Sequence, residues 1–185
     1  MIKLVILDRD GVINKGSAAY VKSAEEFKPI AGSADALARL SKAGISVAIA
    51  TNQSALGRGL IDMGSLNAIH KKMNQVITEA GGRIDAVFFC PHTPAQSCDC
   101  RKPKPGLILE VLKRFNVDAS EAIMIGDADR DILAARAAQV PVCLVLTGEN
   151  KTHRSLQSTL DPTWVFKDLT HAVEFILKSN EAQST

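Results

Sequence analysis

Four consecutive aliphatic residues, Leu4-Val5-Ile6-Leu7, run without a break into Asp8-Arg9-Asp10-Gly11. A segment apolar at every position suits a strand covered on both faces, as at the centre of a parallel sheet. The pattern then recurs. Strand-length apolar runs at 3–7, 46–50, 86–89, 122–125 and 142–146 alternate with helix-period segments at 33–43, 65–80, 106–115, 130–138 and 169–177. This β-α order predicts an α/β fold built on a doubly wound parallel sheet, with ligands at the carboxyl ends of the strands. Local residues set the expected boundaries. Ser33 is expected to N-cap the first helix and Gly44 to end it in a left-handed turn. Gly81-Gly82 ends the middle helix, and Asp118-Ala119-Ser120 turns the chain into the next strand.

A chain of 185 residues is long enough to bury a substantial core without disulfides. It reads as a single domain over 1–178 with a polar tail at 179–185 that is expected to fray. Net charge is +2 with scattered Lys and Arg and few aromatic residues, which speaks against a nucleic-acid partner. No apolar stretch approaches the roughly 18 residues of a membrane span, so no membrane partner is expected. The chain passes from Met1 directly into a strand-like segment with no signal-peptide pattern, so the expected compartment is the cytoplasm. A monomer is the expected working state.

Asp8 and Asp10 project from the end of the first strand, beside Gly11, where a sharp turn is easiest. Asp127 follows the strand that contains Ile123-Met124-Ile125, and Asp131 lies one helical turn on. The set suits phosphate chemistry. One carboxylate attacks phosphorus, the other handles the leaving-group proton, and Asp127 completes an oxygen-rich Mg²⁺ site. Either cluster alone reads equally well as a turn former or cap. Two clusters at one sheet edge favour a site. Thr51-Asn52-Gln53-Ser54 ends the second strand at the same edge, with hydroxyl and backbone donors suited to a phosphate.

Cys90, His92, Cys98 and Cys100 crowd into eleven residues, followed at once by Arg101-Lys102-Pro103. A Cys₃His set fits a closed tetrahedral Zn²⁺ with no open position, hence a structural ion. Such a loop delivers Arg101 and Lys102 on a fixed backbone. Cys143, inside an apolar run, reads as a small buried hydrophobe. His70, His153 and His171 carry no motif and read as packing or surface residues.

In this arrangement the chain resembles phosphatases of the haloacid dehalogenase superfamily. Asp8-Arg9-Asp10-Gly11-Val12 matches the D-x-D-G motif, Thr51 the hydroxyl motif, and Lys102 the cationic motif. Gly126-Asp127-Ala128-Asp129-Arg130-Asp131 matches G-D-x-x-x-D. With Cys90-Pro91-His92 and Cys98-Asp99-Cys100 added, the resemblance narrows to the heptose-bisphosphate phosphatase branch, with histidinol phosphatases as near kin. The resemblance implies that Asp8 is the nucleophile and a Mg²⁺ ligand. It implies that Asp10 is the acid/base and lends the ion its backbone carbonyl, and that Asp127 is the third ligand, with Asp131 behind it. Thr51 and Lys102 would neutralise phosphoryl oxygens, and Arg101 would read the substrate. The implied reaction is removal of the 7-phosphate from D-glycero-D-manno-heptose 1,7-bisphosphate, in bacterial heptose and lipopolysaccharide-type synthesis. Two positions depart from the pattern. Ala128 stands where some members carry Lys, and 15–20 lacks a frequent acidic residue. No large cap domain is expected, and the zinc loop is expected to be the longest insertion. Histidinol-phosphate hydrolysis, or a non-catalytic zinc-stabilised interaction module, are the competing readings.

Overall fold

A computed structural model describes residues 1–149 and 164–183. Strand β1 (Leu4–Leu7) leads to helix α1 (Ser33–Lys42), β2 (Ser46–Asn52), a single helical turn α2 (Ser54–Gly57) and α3 (Met63–Glu79). Then come β3 (Ala86–Cys90), α4 (Gly106–Phe115), β4 (Ala122–Gly126), α5 (Asp129–Ala137), β5 (Val142–Val145), β6 (Trp164–Phe166) and α6 (Leu169–Ala182). The strands form one parallel sheet in the order β3-β2-β1-β4-β5-β6. The winding direction therefore reverses between β1 and β4. In open α/β sheets that switch point is where strand ends part to leave a crevice.

The unbroken aliphatic run of β1 has its expected cause. Val5 and Leu7 join a core layer with α1, α3 and α6, whereas Leu4 and Ile6 join the opposite layer with α4 and α5. All four side chains are fully buried, each contributing about 1.5–3 kcal/mol. β1 thus has no solvent face on which a polar residue could be placed.

Several boundaries differ from the sequence reading, for local reasons. Ser33 is not the N-cap of α1. Gly32 takes that position at φ 80°, while the Ser33 hydroxyl donates to the Ile13 carbonyl at 2.9 Å. Helix α3 starts earlier than 65 because Asp62 caps it, accepting from the Ser65 N–H at 2.7 Å. β6 was not anticipated; it is a three-residue edge strand with no periodicity to read. Helix α6 continues past 177 to Ala182, and its Asn180 amide pairs with both backbone groups of Ile2 at 2.8 Å. His153 lies outside the described residues, as do 184 and 185 of the tail. His171 pairs with Asp168 at the start of α6, and Cys143 is fully buried.

The zinc loop is not the longest connection. Among the described residues, 8–32 between β1 and α1 exceeds 91–105, and bridges Asp10–Asn14 and Asn14–Pro29 fold it back over the strand ends. No insertion of cap-domain size sits over the strand ends among the described residues. No described helix is long and apolar enough to cross a membrane.

Candidate active site

Asp8 leaves β1 at the switch point, its N–H still donating to Ile125 of β4 at 3.0 Å. The Lys102 ammonium stands 3.0 Å from Asp8 Oδ2 and 2.6 Å from Asp131 Oδ1. All three side chains are buried, with at most 4% exposed. Asp131 is committed on both sides, because its Oδ2 accepts from the N–H groups of Asp127 and Ala128 at 3.3 and 3.2 Å. The carboxylate thereby holds the β4–α5 turn and Lys102 at once.

Asp127 enters between two glycines. Gly11 has φ +87°, and a Cβ there or on Gly148 would collide with the Asp127 carboxylate. Only glycine lets those backbones close around it. Asp127 Oδ2 accepts from the Glu149 N–H at 2.7 Å, while Oδ1 is buried without a hydrogen-bond partner. Arg130, 4.0 Å from that oxygen, is itself tied to Glu149 at 2.7 Å. Burial, then the charges of Asp131 and Asp8, push the Asp127 carboxyl up to about 7. Asp8 differs. Burial raises it, but the Lys102 and Arg130 cations and the Lys102 and Arg9 hydrogen bonds outweigh that and hold it below the usual range. Burial pushes Lys102 down, but Asp131 and Asp8 more than reverse this, so its ammonium stays charged.

Ligand oxygens of Asp8, Asp127 and Asp131 all lie within 4.8 Å of one another. Three carboxylates against one enclosed ammonium leave an excess of negative charge and one orphaned oxygen. Asp8 and Asp127 offer hard, anionic oxygens, as a Mg²⁺-type cation prefers, while Asp131 stays committed to Lys102 and the β4–α5 turn.

Asp10 faces the same cleft but is held separately. Arg9 Nη2 donates to its two oxygens at 3.1 and 2.8 Å, Asn14 Nδ2 to Oδ1 at 2.7 Å, and Gln53 Nε2 to Oδ2 at 3.0 Å. Gln53 Nε2 also reaches Thr51 Oγ1 at 3.0 Å, linking Asp10 to the buried hydroxyl at the end of β2. Ser54, also buried, opens α2 beside them. Asn52 does something the sequence did not show. Its amide accepts from the Lys102 N–H at 3.1 Å and donates to the Lys102 carbonyl at 3.0 Å, clamping the lysine, while the residue also lines the cleft.

The cleft above these groups measures about 780 Å³. Arg101 lines it, with one guanidinium nitrogen anchored on the His92 carbonyl at 3.1 Å. Lys15, at the start of the 15–20 segment that with Arg101 is expected to discriminate substrates, lines it too, as do Arg58 and Arg130, neither of which is expected from the sequence as a site residue. Arg130 sits inside the G-D-x-x-x-D segment, which marks its position in sequence; Arg58 carries no local signal.

At the side of the cleft, the sulfurs of Cys90, Cys98 and Cys100 lie 3.2–3.6 Å apart, and His92 Nδ1 is 3.5 and 3.4 Å from Cys90 and Cys100. Tetrahedral Zn²⁺ with bonds of about 2.3 Å to sulfur and 2.0–2.1 Å to nitrogen needs edges of about 3.5–3.8 Å. Four of these five edges lie within about 0.3 Å of that polyhedron, and the Cys90–Cys100 edge, at 3.2 Å, is shorter than it. Burial and the neighbouring cysteines push the Cys100 thiol up to about 12, a repulsion among thiolates that a divalent cation would relieve. Asp99, between two ligands, points into solvent and pairs with Lys104.

The chain as a whole is similar to known proteins. A family described as HAD-hyrolase-like matches residues 99–172. The D-glycero-beta-D-manno-heptose-1,7-bisphosphate 7-phosphatase of Neisseria meningitidis serogroup A is 45% identical over 183 residues, 98% of each chain. The crystal structure of D,D-heptose 1,7-bisphosphate phosphatase from B. bronchiseptica, complexed with magnesium and phosphate, has a TM-score of 0.92. It is 43% identical, covering 96% of this chain and 99% of that one. The corresponding phosphatase from Burkholderia thailandensis gives 0.74 at 38% identity, covering 95% and 98%.

Proposed function

Because the chain belongs to the heptose-1,7-bisphosphate 7-phosphatase family of haloacid dehalogenase-like hydrolases, we propose that it removes the 7-phosphate of D-glycero-β-D-manno-heptose 1,7-bisphosphate. The chain is a phosphatase, a phosphoric monoester hydrolase, and its relatives' names fit heptose and lipopolysaccharide synthesis. The observation that carries the mechanism is Asp8 at the sheet's switch point. It is buried, ionised by the cations around it, and open to the cleft.

Asp8 attacks phosphorus, forming an acyl-phosphate bond as the bond from phosphorus to the sugar oxygen breaks. Asp10, on the next turn, gives the departing oxygen its proton. It then takes a proton from the water that cleaves the aspartyl phosphate. Lys102 and Thr51 would offset the charge that builds on the phosphoryl oxygens. Asp8, Asp127 and the Asp10 backbone carbonyl would hold Mg²⁺, which when bound neutralises phosphate charge. Asp131 keeps Lys102 and the β4–α5 turn in place, and Asn52 positions Lys102 from the other side. Gln53 and Ser54 complete the phosphate end of the cleft.

The test is phosphate release from the β-heptose bisphosphate, its α anomer and histidinol phosphate. We expect kcat/KM on the β-bisphosphate to exceed that on histidinol phosphate by at least about 100-fold, the discrimination two or three good polar contacts can give. Faster turnover of histidinol phosphate would defeat the assignment.

The Asp127 carboxyl makes Mg²⁺ binding pH-dependent. Its value near 7 in the fold exceeds the ordinary 3.8, so protons compete with the ion below neutrality. Affinity measured by calorimetry should fall by up to about tenfold per pH unit below 7 and level off above it. The sign for stability follows. A raised carboxyl favours the fold below its ordinary value and loses that contribution as pH rises through about 7. Stabilisation by added Mg²⁺ should therefore be larger at pH 8 than at pH 5. Equal Mg²⁺-induced shifts in Tm at both would remove Asp127 from the site.

Purified protein should carry about one Zn²⁺ per chain, held by Cys90, His92, Cys98 and Cys100. Cys98→Ser should lower both Tm and activity, since the loop carries Lys102 into the core. Metal analysis without zinc under reducing conditions, or unchanged melting and kinetics, would count against it. Arg101 has one nitrogen anchored and the rest of its fork facing the cleft. Arg101→Ala should cost roughly tenfold more kcat/KM on the bisphosphate than on a small aryl phosphate, because only the former offers a second anion. Equal losses would end the substrate-reading role.

A further inference from the structure

Arg9 is among the largest fully buried side chains of the molecule, yet it stands between the two aspartates of the site. Enclosing a guanidinium costs several kcal/mol unless it is well paired. The backbone turn that follows needs only the Arg9 carbonyl, which accepts from Val12, Ile13 and Asn14. Nothing in the turn requires the side chain. Its fork instead lies on Asp10, with Nε 3.3 Å and Nη2 3.1 Å from Oδ1 and Nη2 2.8 Å from Oδ2. Nη1 is buried and unpartnered. Behind it, His70 of α3 packs against Phe89, and its Nε2 is also buried without a partner. Burial first, and the Arg9 charge second, push that imidazole down to about 4, so no second cation competes for Asp10.

We propose that Arg9 is the positioning residue for proton transfer. Its buried fork aims the Asp10 carboxyl at the leaving oxygen and offsets the negative charge that Asp10 acquires as it releases its proton. This rests on Asp10 being the general acid. The step balances simply: the bond from phosphorus to the leaving oxygen breaks, the Asp8 oxygen bonds to phosphorus, and the Asp10 proton ends on the leaving oxygen. Arg9 touches neither phosphorus nor that oxygen. Its contribution should therefore depend on how much the leaving oxygen needs a proton. An alkoxide needs one badly; p-nitrophenolate does not.

The experiment compares kcat/KM for p-nitrophenyl phosphate, phenyl phosphate and the heptose bisphosphate in the Mg²⁺-loaded wild type, Arg9→Met, Arg9→Lys and Asp10→Asn. Arg9→Met should lose on the order of 10- to 100-fold more on the sugar phosphate than on p-nitrophenyl phosphate, mostly in kcat. Arg9→Lys, which keeps the charge without the fork, should recover part of that difference. If Arg9→Met does not fold, Arg9→Lys against wild type carries the same test with a smaller difference. A folded Arg9 variant losing equally on all three substrates, beside an Asp10→Asn protein that still discriminates steeply, would overturn the proposal alone. An Asp10→Asn protein with no leaving-group dependence would overturn the acid assignment, and the role of Arg9 with it.

Discussion

Asp8→Asn should reduce phosphate release by at least about 10⁴-fold, the scale on which loss of a nucleophile acts. The amide has no anionic oxygen to attack phosphorus and is a poorer ligand for a hard cation. The fold should tolerate the change for a reason visible in the charges. Lys102 keeps Asp131 at 2.6 Å when Asp8 loses its charge, and the surplus of carboxylates around it falls. Metal-free Tm should change little, whereas the rise in Tm caused by Mg²⁺ should shrink. Substantial residual turnover in protein free of wild-type enzyme would take the nucleophile role from Asp8.

Asp10→Asn should lose on the order of 10²–10⁴-fold on sugar phosphates, the usual scale of general acid catalysis. It should also differ from Asp8→Asn in stability. Asp10 is the only acidic partner among the Arg9 contacts described above, and the Arg9 side chain is 1% exposed against 28% for Asp10. Removing one member of a buried pair costs roughly 3–5 kcal/mol. The partial exposure of Asp10 and the acceptor oxygen that asparagine retains reduce this to about 1–3 kcal/mol. Tm should fall by several degrees, so kinetics must be measured well below the new transition. Wild-type activity across pH would mean that another group carries the proton.

These contrasts separate what could be read locally from what could not. The strand β1 was legible because a segment enclosed on both faces must be apolar at every position, and Leu4–Leu7 is. Asp8, at its carboxyl end, inherits its place from that strand. The parallel order followed from alternating periods, and the Cys90, His92, Cys98 and Cys100 cluster from its crowding along the chain. β6 was not legible, because three residues at a sheet edge establish no period. Nor was the length of 8–32 as the main loop over the cleft, since an irregular segment acquires shape only from what it packs on.

The chain order alone determined which residues stand at the strand ends: Asp8, Thr51 and Asp127 are placed by the covalent connection to β1, β2 and β4. Tertiary structure alone decided what each does. Asn52 reads in sequence as part of a phosphate-holding strand end, and folding adds a clamp by its amide on Lys102, 50 positions away. Arg9 between two aspartates carries no sign of burial in sequence, but folding encloses it and gives its fork to Asp10. Periodicity reports which face of an element is dry, because each residue's exposure is set by its own turn or pleat. The pairing of polar side chains depends on segments that meet only after the sheet has closed, and on the cost of enclosing any charge that finds no partner there.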